Sequence, residues 1–195
     1  MKNYLQFLVV ILVVSSCASS YINIQPNSIA YQTNLTHQDV DFSYKYGVLS
    51  ERKNSKYAKK ESLKGIQVAA VKVTNRSDKP FVFGQDLKVY SNGNPVVLLE
   101  PQVIHQNLKQ GVPIYLLYLL LTPMQFHSGN SSTPIGVVIG PGIAAANMIG
   151  AASANSNFLK ELEENSLNGR TINAGETVYG IIGLSDSGFS PLTLE

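Results

Sequence analysis

Polar and apolar residues alternate strictly over residues 41–49, where Phe42, Tyr44, Tyr46 and Val48 fall between Asp41, Ser43, Lys45 and Gly47. Period two over this length predicts a strand with one buried face. The pattern returns at residues 66–73, β-branched and mostly apolar, and stops in the turn-forming run 74–80. Strand-like segments follow at 81–83, 87–90 and 96–99, with Ser91-Asn92-Gly93-Asn94-Pro95 as a further turn. Near the C-terminus, residues 171–172, 177–184 and 189–194 repeat the pattern around the turns Asn173-Ala174-Gly175-Glu176 and Asp186-Ser187-Gly188. Short strands at regular spacing with turn chemistry between them predict an antiparallel sandwich or barrel.

Two stretches depart from this period. Residues 112–126 have a core, Ile114-Tyr115-Leu116-Leu117-Tyr118-Leu119-Leu120-Leu121, that is apolar on every side. In a helix that composition demands burial in protein or in lipid; Pro113 suits the first turn and Pro123 the end. Residues 135–154 carry no formal charge, and small residues recur four apart at Gly136 and Gly140 and at Ala146 and Gly150, a spacing that lets helices approach closely. Pro141 and the glycines beside it predict a break into a strand-like or loop half and a helical half. The helical half continues through Phe158, Leu159, Leu162 and Leu167 to a stop at Asn168-Gly169. The expected fold class is therefore mainly β with an α insertion: strands, a helical hairpin at about 112–168, then strands. Residues 50–64 are the most charged, with Arg52, Lys53, Lys56, Lys59, Lys60 and Lys64 against Glu51 and Glu61. They lack the apolar face of an interfacial helix and read as a solvated loop. Residues 19–36 are polar with scattered Tyr21, Ile24, Ile29 and Leu35, without sustained periodicity.

The N-terminus adds an address. Lys2 is its only charge, an apolar run over 4–14 is interrupted by Gln6, and two serines precede Cys17, the sole cysteine. A positive start, a short apolar core and small residues at the cleavage point make a secretory signal peptide. The run is too short to span a bilayer, which takes about 20 residues. Val14-Ser15-Ser16-Cys17 resembles the lipobox of bacterial lipoproteins, with Val14 where leucine is commoner. The resemblance implies a signal peptide over 1–16, cleavage between Ser16 and Cys17, and a diacylglyceryl group on the Cys17 thiol. A lipid-attached tether over 17–40 would then lead to the domain at 41–195. Ala18, Ser19 and Ser20 follow the cysteine, with neither an aspartate nor an acidic cluster; by the same resemblance the expected location is the periplasmic face of the outer membrane. The strand, turn and strand around 66–83 resemble the immunoglobulin-like antiparallel β-sandwiches of periplasmic lipoproteins. Across most of its length the chain resembles the small envelope lipoproteins of Bacteroidota-type bacteria.

Composition narrows the role. Removing residues 1–16 from 195 leaves 179, enough for one domain with a sizeable core. Formal net charge is +2, so no polyanionic partner and no nucleic acid are expected. With its one cysteine committed to lipid, the chain has neither a disulfide nor a thiolate metal site. It has no Trp, which leaves Tyr and Phe to supply the aromatic core.

Catalytic motifs are thin. Gly140-Pro141-Gly142-Ile143-Ala144-Ala145 fits G-x-G-x-x-A after a strand-like 137–139, yet Glu161, the acid about 20 residues on, falls in a predicted helix. Close helix packing is the better reading of these glycines. His37, His105 and His127 lie far apart with no paired spacing, and Glu161, Glu163 and Glu164 read as a solvated helix face. There is no nucleophile elbow, S-x-x-K or Walker lysine. No catalytic residue, cofactor or metal site is assigned. The expected role is non-enzymatic binding or assembly in the envelope, with the membrane as partner through lipid on Cys17. The apolar hairpin is expected first to dock on the sandwich, sealed from water; the second reading makes it the surface on which an envelope protein docks. One alternative is an enzyme acting on envelope polymers, which needs two or more of His37, His105, His127, Asp86 and the Glu161 group in one cleft. Another is a hairpin embedded in the bilayer, against which stand the shortness of the first stretch and the cost of Asn147 in hydrocarbon.

Overall fold

A computed structural model of the chain describes residues 17–31, 35–37, 39–121, 126–128, 131–133, 136–185 and 188–195. Residues 1–16, with Ser16 among them, and the turn residues Asp186 and Ser187 lie outside the described residues. The chain forms two compact units: Gln110–Asn155 with the residues up to Ser20, and Tyr21–Lys109 with Ser156–Glu195.

The larger unit is built on strands β1 (Leu35–His37), β2 (Val40–Lys45), β3 (Gln67–Asn75), β4 (Phe81–Val82), β5 (Val89–Ser91), β6 (Asn94–Pro95) and β7 (Leu98–Leu99). The smaller unit holds the hairpin β8 (Phe126–Ser128) and β9 (Ser131–Thr133), and the larger resumes with β10 (Thr171–Ile172), β11 (Thr177–Leu184) and β12 (Leu192–Leu194). A five-stranded sheet has the order β1-β2-β3-β11-β7, with antiparallel neighbours throughout. Smaller sheets have the orders β12-β5-β6 and β10-β4. In the central register Val71 faces Tyr44 on one side and Gly180 on the other.

Alternation then sorts the side chains. Phe42, Tyr44, Ala69, Val71, Val73, Val178 and Ile182 share one core with Val89, Ile172, Leu192 and Leu194 of the smaller sheets. Val68, Ala70 and Ile181, of opposite parity, are buried as well. On that face Ile104 stands against Gly183, where an added Cβ would meet its Cγ1 at 2.6 Å. Ile104 belongs to the helix α3 (Pro101–Leu108), which follows α1 (Val48–Glu51) and α2 (Ser55–Lys64); α4 (Gly136–Asn165) ends in the same unit. Tyr21, Tyr57 and Phe158 form the aromatic centre, with ring centroids 4.7–5.4 Å apart. The fold is mixed α/β with mostly antiparallel sheets and four helices among the described residues.

Several local expectations change. The strand expected over 41–49 ends at Lys45, because Gly47 takes a left-handed conformation (φ 69) and opens α1. Residues 50–64 are not a loop: α2 buries Tyr57 and Glu61, four apart on one face, and stops at left-handed Gly65. Helix α3 was not expected; Pro101 fits its first turn, and Ile104 and Leu108 are its buried stripe. Residues 137–139 are helical rather than strand-like, and α4 passes Pro141 unbroken. Pro141 lies inside α4, where it leaves the carbonyl of residue 137 without its backbone donor and crowds it, yet the helix runs through. The apolar stretch beginning at Pro113 is a 3-10 helix, Pro113–Leu121, followed by the β8–β9 hairpin.

Candidate functional site

Cys17 belongs to the smaller unit, whose core joins Tyr115, Tyr118, Ala144 and Ala151 with Ala18, Val112, Ile143 and Met148. A 3-10 helix repeats every three residues, so Tyr115 and Tyr118 project from one side, and their rings stack with centroids 6.4 Å apart. On α4 the buried positions Ala144, Asn147, Ala151 and Asn155 recur at helical spacing. Cys17 is exposed, with Sγ 3.9 Å from the Tyr118 hydroxyl. The Ala18 N–H donates to Asn147 Oδ1 at 2.6 Å, and Asn147 Nδ2 donates back to the Ile143 carbonyl at 2.9 Å. Gln110 brackets the next residue: its Oε1 accepts from Ser19 N at 3.2 Å and its Nε2 donates to Ser19 O at 2.7 Å. Asn155 in turn closes both backbone groups of Gln110, at 2.7 and 2.9 Å. Amide side chains thus hold the main chain directly behind the thiol.

The following residues belong to the larger unit and are held there as firmly. One carboxylate, Glu161, accepts the Tyr21 hydroxyl at 2.5 Å and the backbone N–H groups of Ile24 and Gln25 at 2.9 Å each. Asn54 pairs with both backbone groups of Ile22, Arg52 Nε donates to Ile24 O, and the Tyr31 hydroxyl donates to Val71 O. Tyr21, Ile24 and Pro26 are buried. The stretch expected as part of a 17–40 tether is therefore built into the fold over 18–31. Its contacts are irregular and its partners distant in sequence, so no period announces them.

Glu161 departs from expectation in the same way. Glu163 and Glu164 are exposed as a solvated face requires, but Glu161 is buried. Burial, and after it the Glu161 carboxylate, push the Tyr21 phenol well above its ordinary pKa. A second buried carboxylate, Glu61, accepts from Val68 N at 2.7 Å. Burial raises it to about 7, and the Val68 bond opposes the rise.

The other candidates are spread over separate elements. His37 lies on β1 in an open groove with Leu35, Phe42 and Leu194. His105 is on α3, its ring 6.3 Å from Phe158. Asp86 caps the turn after β4 by accepting from Val82 N at 2.8 Å. The His127 backbone is in β8, and its side chain lies outside the described residues. Gly140, Pro141 and Gly142 are helical, which removes the strand-turn-helix context a dinucleotide loop needs. Among the described residues no group of three or more His, Cys, Asp or Glu is arranged to hold a metal, and no helix is long and apolar enough to cross a membrane.

No family model, curated protein or solved structure matches the chain. No motif singles out the side chains that hold the N-terminal segment, Gln110, Asn147 and Asn155 within the smaller unit and Asn54 and Glu161 within the larger. The one available signal was polarity out of place: Gln110 and Asn147 border or interrupt apolar stretches, where a polar side chain needs a partner.

Proposed function

We propose that the protein is a lipid-anchored component of the cell envelope, attached through acyl groups on the Cys17 thiol after cleavage behind Ser16, with a non-enzymatic binding or assembly role. What supports the reading is the exposed thiol joined to a main chain fixed from its next residue onward, by Asn147 at Ala18 and Gln110 at Ser19. Acyl chains can leave an exposed sulfur without disturbing the core, and the short fixed segment couples the anchor to the fold with little slack. Each buried methylene adds about 0.8 kcal/mol, so two or three chains hold a protein to its bilayer. Ala18 at the position after the cysteine keeps the periplasmic face of the outer membrane as the location. The finer fold reading belongs to the same proposal: an immunoglobulin-like sandwich, supported by the single core shared by the five-stranded and smaller sheets.

Growth of the source cells with a labelled fatty acid tests the anchor. Label is expected on the wild-type polypeptide and absent from Cys17→Ala. An unlabelled wild type overturns the reading.

A further inference from the structure

We infer that the apolar exterior of the smaller unit lies in the phospholipid surface beside the Cys17 anchor, as an interfacial patch rather than a span, an inference that rests on the anchoring proposed above. Residues 110–159 contain no Lys, Arg, Asp or Glu, although the chain has fifteen basic and thirteen acidic residues, and Lys109 and Lys160 stand at the two ends of this stretch. Among the described side chains of the unit the large aliphatics and the amides exchange their usual places. The polar side chains Gln110, Asn147 and Asn155 and the phenols of Tyr115 and Tyr118 are buried, while Ile114, Leu116, Leu117, Leu119, Leu120 and Ile149 are exposed. Leu120 is 74% and Ile149 71% exposed. In water, aliphatic side chains are the ones most often buried and amides are mostly exposed.

The 3-10 helix produces this inversion directly. Its three-residue repeat turns Tyr115 and Tyr118 inward, so the aliphatic positions between them face out. In hydrocarbon every polar group must be satisfied within the protein, and the inner amides meet that condition. Asn147 is bonded at both ends, to Ala18 N and Ile143 O, which removes the cost expected of it in an apolar medium. No described helix is long and apolar enough to cross a membrane, so the patch sits about 5–10 Å into the boundary between headgroups and acyl chains.

What favours lipid over a protein partner is the place of the anchor: it leaves from this same unit, where the Ala18 to Asn147 bond fixes the residue beside Cys17 to α4.

The chain has no Trp, so a single introduced tryptophan reports alone. Protein carrying Leu120→Trp, Ile149→Trp or Val97→Trp is isolated from its membranes and reconstituted in phosphatidylethanolamine and phosphatidylglycerol vesicles with bromine on the acyl chains. The expected result is a shift to shorter wavelength and loss of most emission for Leu120→Trp and Ile149→Trp. Val97→Trp, an exposed site in the larger unit, keeps its emission. Unquenched emission at both Leu120→Trp and Ile149→Trp overturns the inference, as does equal quenching at Val97→Trp. Shielding of the two sites only after other envelope proteins are added also overturns it, in favour of a protein partner. The intact mass of the same sample separates the two proposals. Acylated but unquenched protein leaves the anchor standing without the lipid patch; quenched protein without acyl groups does the reverse.

Discussion

Replacing Glu161 with Gln measures how firmly the segment behind Cys17 is held. The carboxylate takes three donors, Tyr21 Oη and Ile24 N on Oε2 and Gln25 N on Oε1. A glutamine keeps one oxygen and turns an NH2 group toward the third donor. Two bonds lose their charge assistance, about 1 kcal/mol each, and the third donor, the part-buried Gln25 N–H, loses its acceptor, at about 1 kcal/mol. Burying a neutral amide in place of a carboxylate offsets part of this. The net expectation is a loss of roughly 2–3 kcal/mol. Tyr21→Phe, which removes one donor and leaves the carboxylate its two N–H groups, costs about 1–2 kcal/mol. Because the two residues share a bond, the double variant loses less than the sum. Urea unfolding gives the energies, and native-state proteolysis shows whether residues 21–31 loosen. A Glu161→Gln protein within about 0.5 kcal/mol of wild type, with 21–31 equally resistant, refutes the clamp.

Other outcomes follow from the packing. The folded Glu61 carboxyl is raised to about 7 from an ordinary 4.5. The native state therefore binds more protons across that window, and the contribution of Glu61 to stability is greatest below about 4.5 and is lost as pH rises through about 7. Glu61→Gln keeps an acceptor for Val68 N, so its advantage over wild type should grow by roughly 3 kcal/mol across the window, read from urea midpoints; a constant difference counts against the buried carboxylate. Gly183→Ala drives a Cβ into Ile104 and should cost about 1–3 kcal/mol of overpacking; wild-type stability would place α3 further from β11. Phe158→Ala empties the space between Tyr21, Tyr57 and His105 and should cost about 3–5 kcal/mol in the same unfolding assay. A loss under about 1 kcal/mol would show that this cluster is not central.

The strands were legible where alternation met a buried face, as in β2 and β11, or where β-branched residues ran together, as in β3. Helix α2 was not, because its polarity is inverted: Glu61 is buried and Leu63 is exposed, so a hydrophobic pattern points to the wrong face. Helix α3 carried a readable signal in Pro101, Ile104 and Leu108, at helical spacing behind a first-turn proline. The clamp had none. Tyr21 and Glu161 are 140 residues apart, and Ser19 and Gln110 are 91 apart, while each polar group alone looks like an ordinary surface residue. Pro141 misleads because an interior proline ordinarily breaks or kinks a helix, whereas α4 continues through it.

Attachment to the envelope turns on the chemistry at one sulfur atom, Cys17 Sγ. Mass spectrometry of the N-terminal peptide, from protein purified out of the native envelope, reads it directly. The expected peptide begins at Cys17 and carries a diacylglyceryl group on Sγ. A peptide that retains residues before Cys17, or one that begins there with an unmodified thiol, contradicts the account.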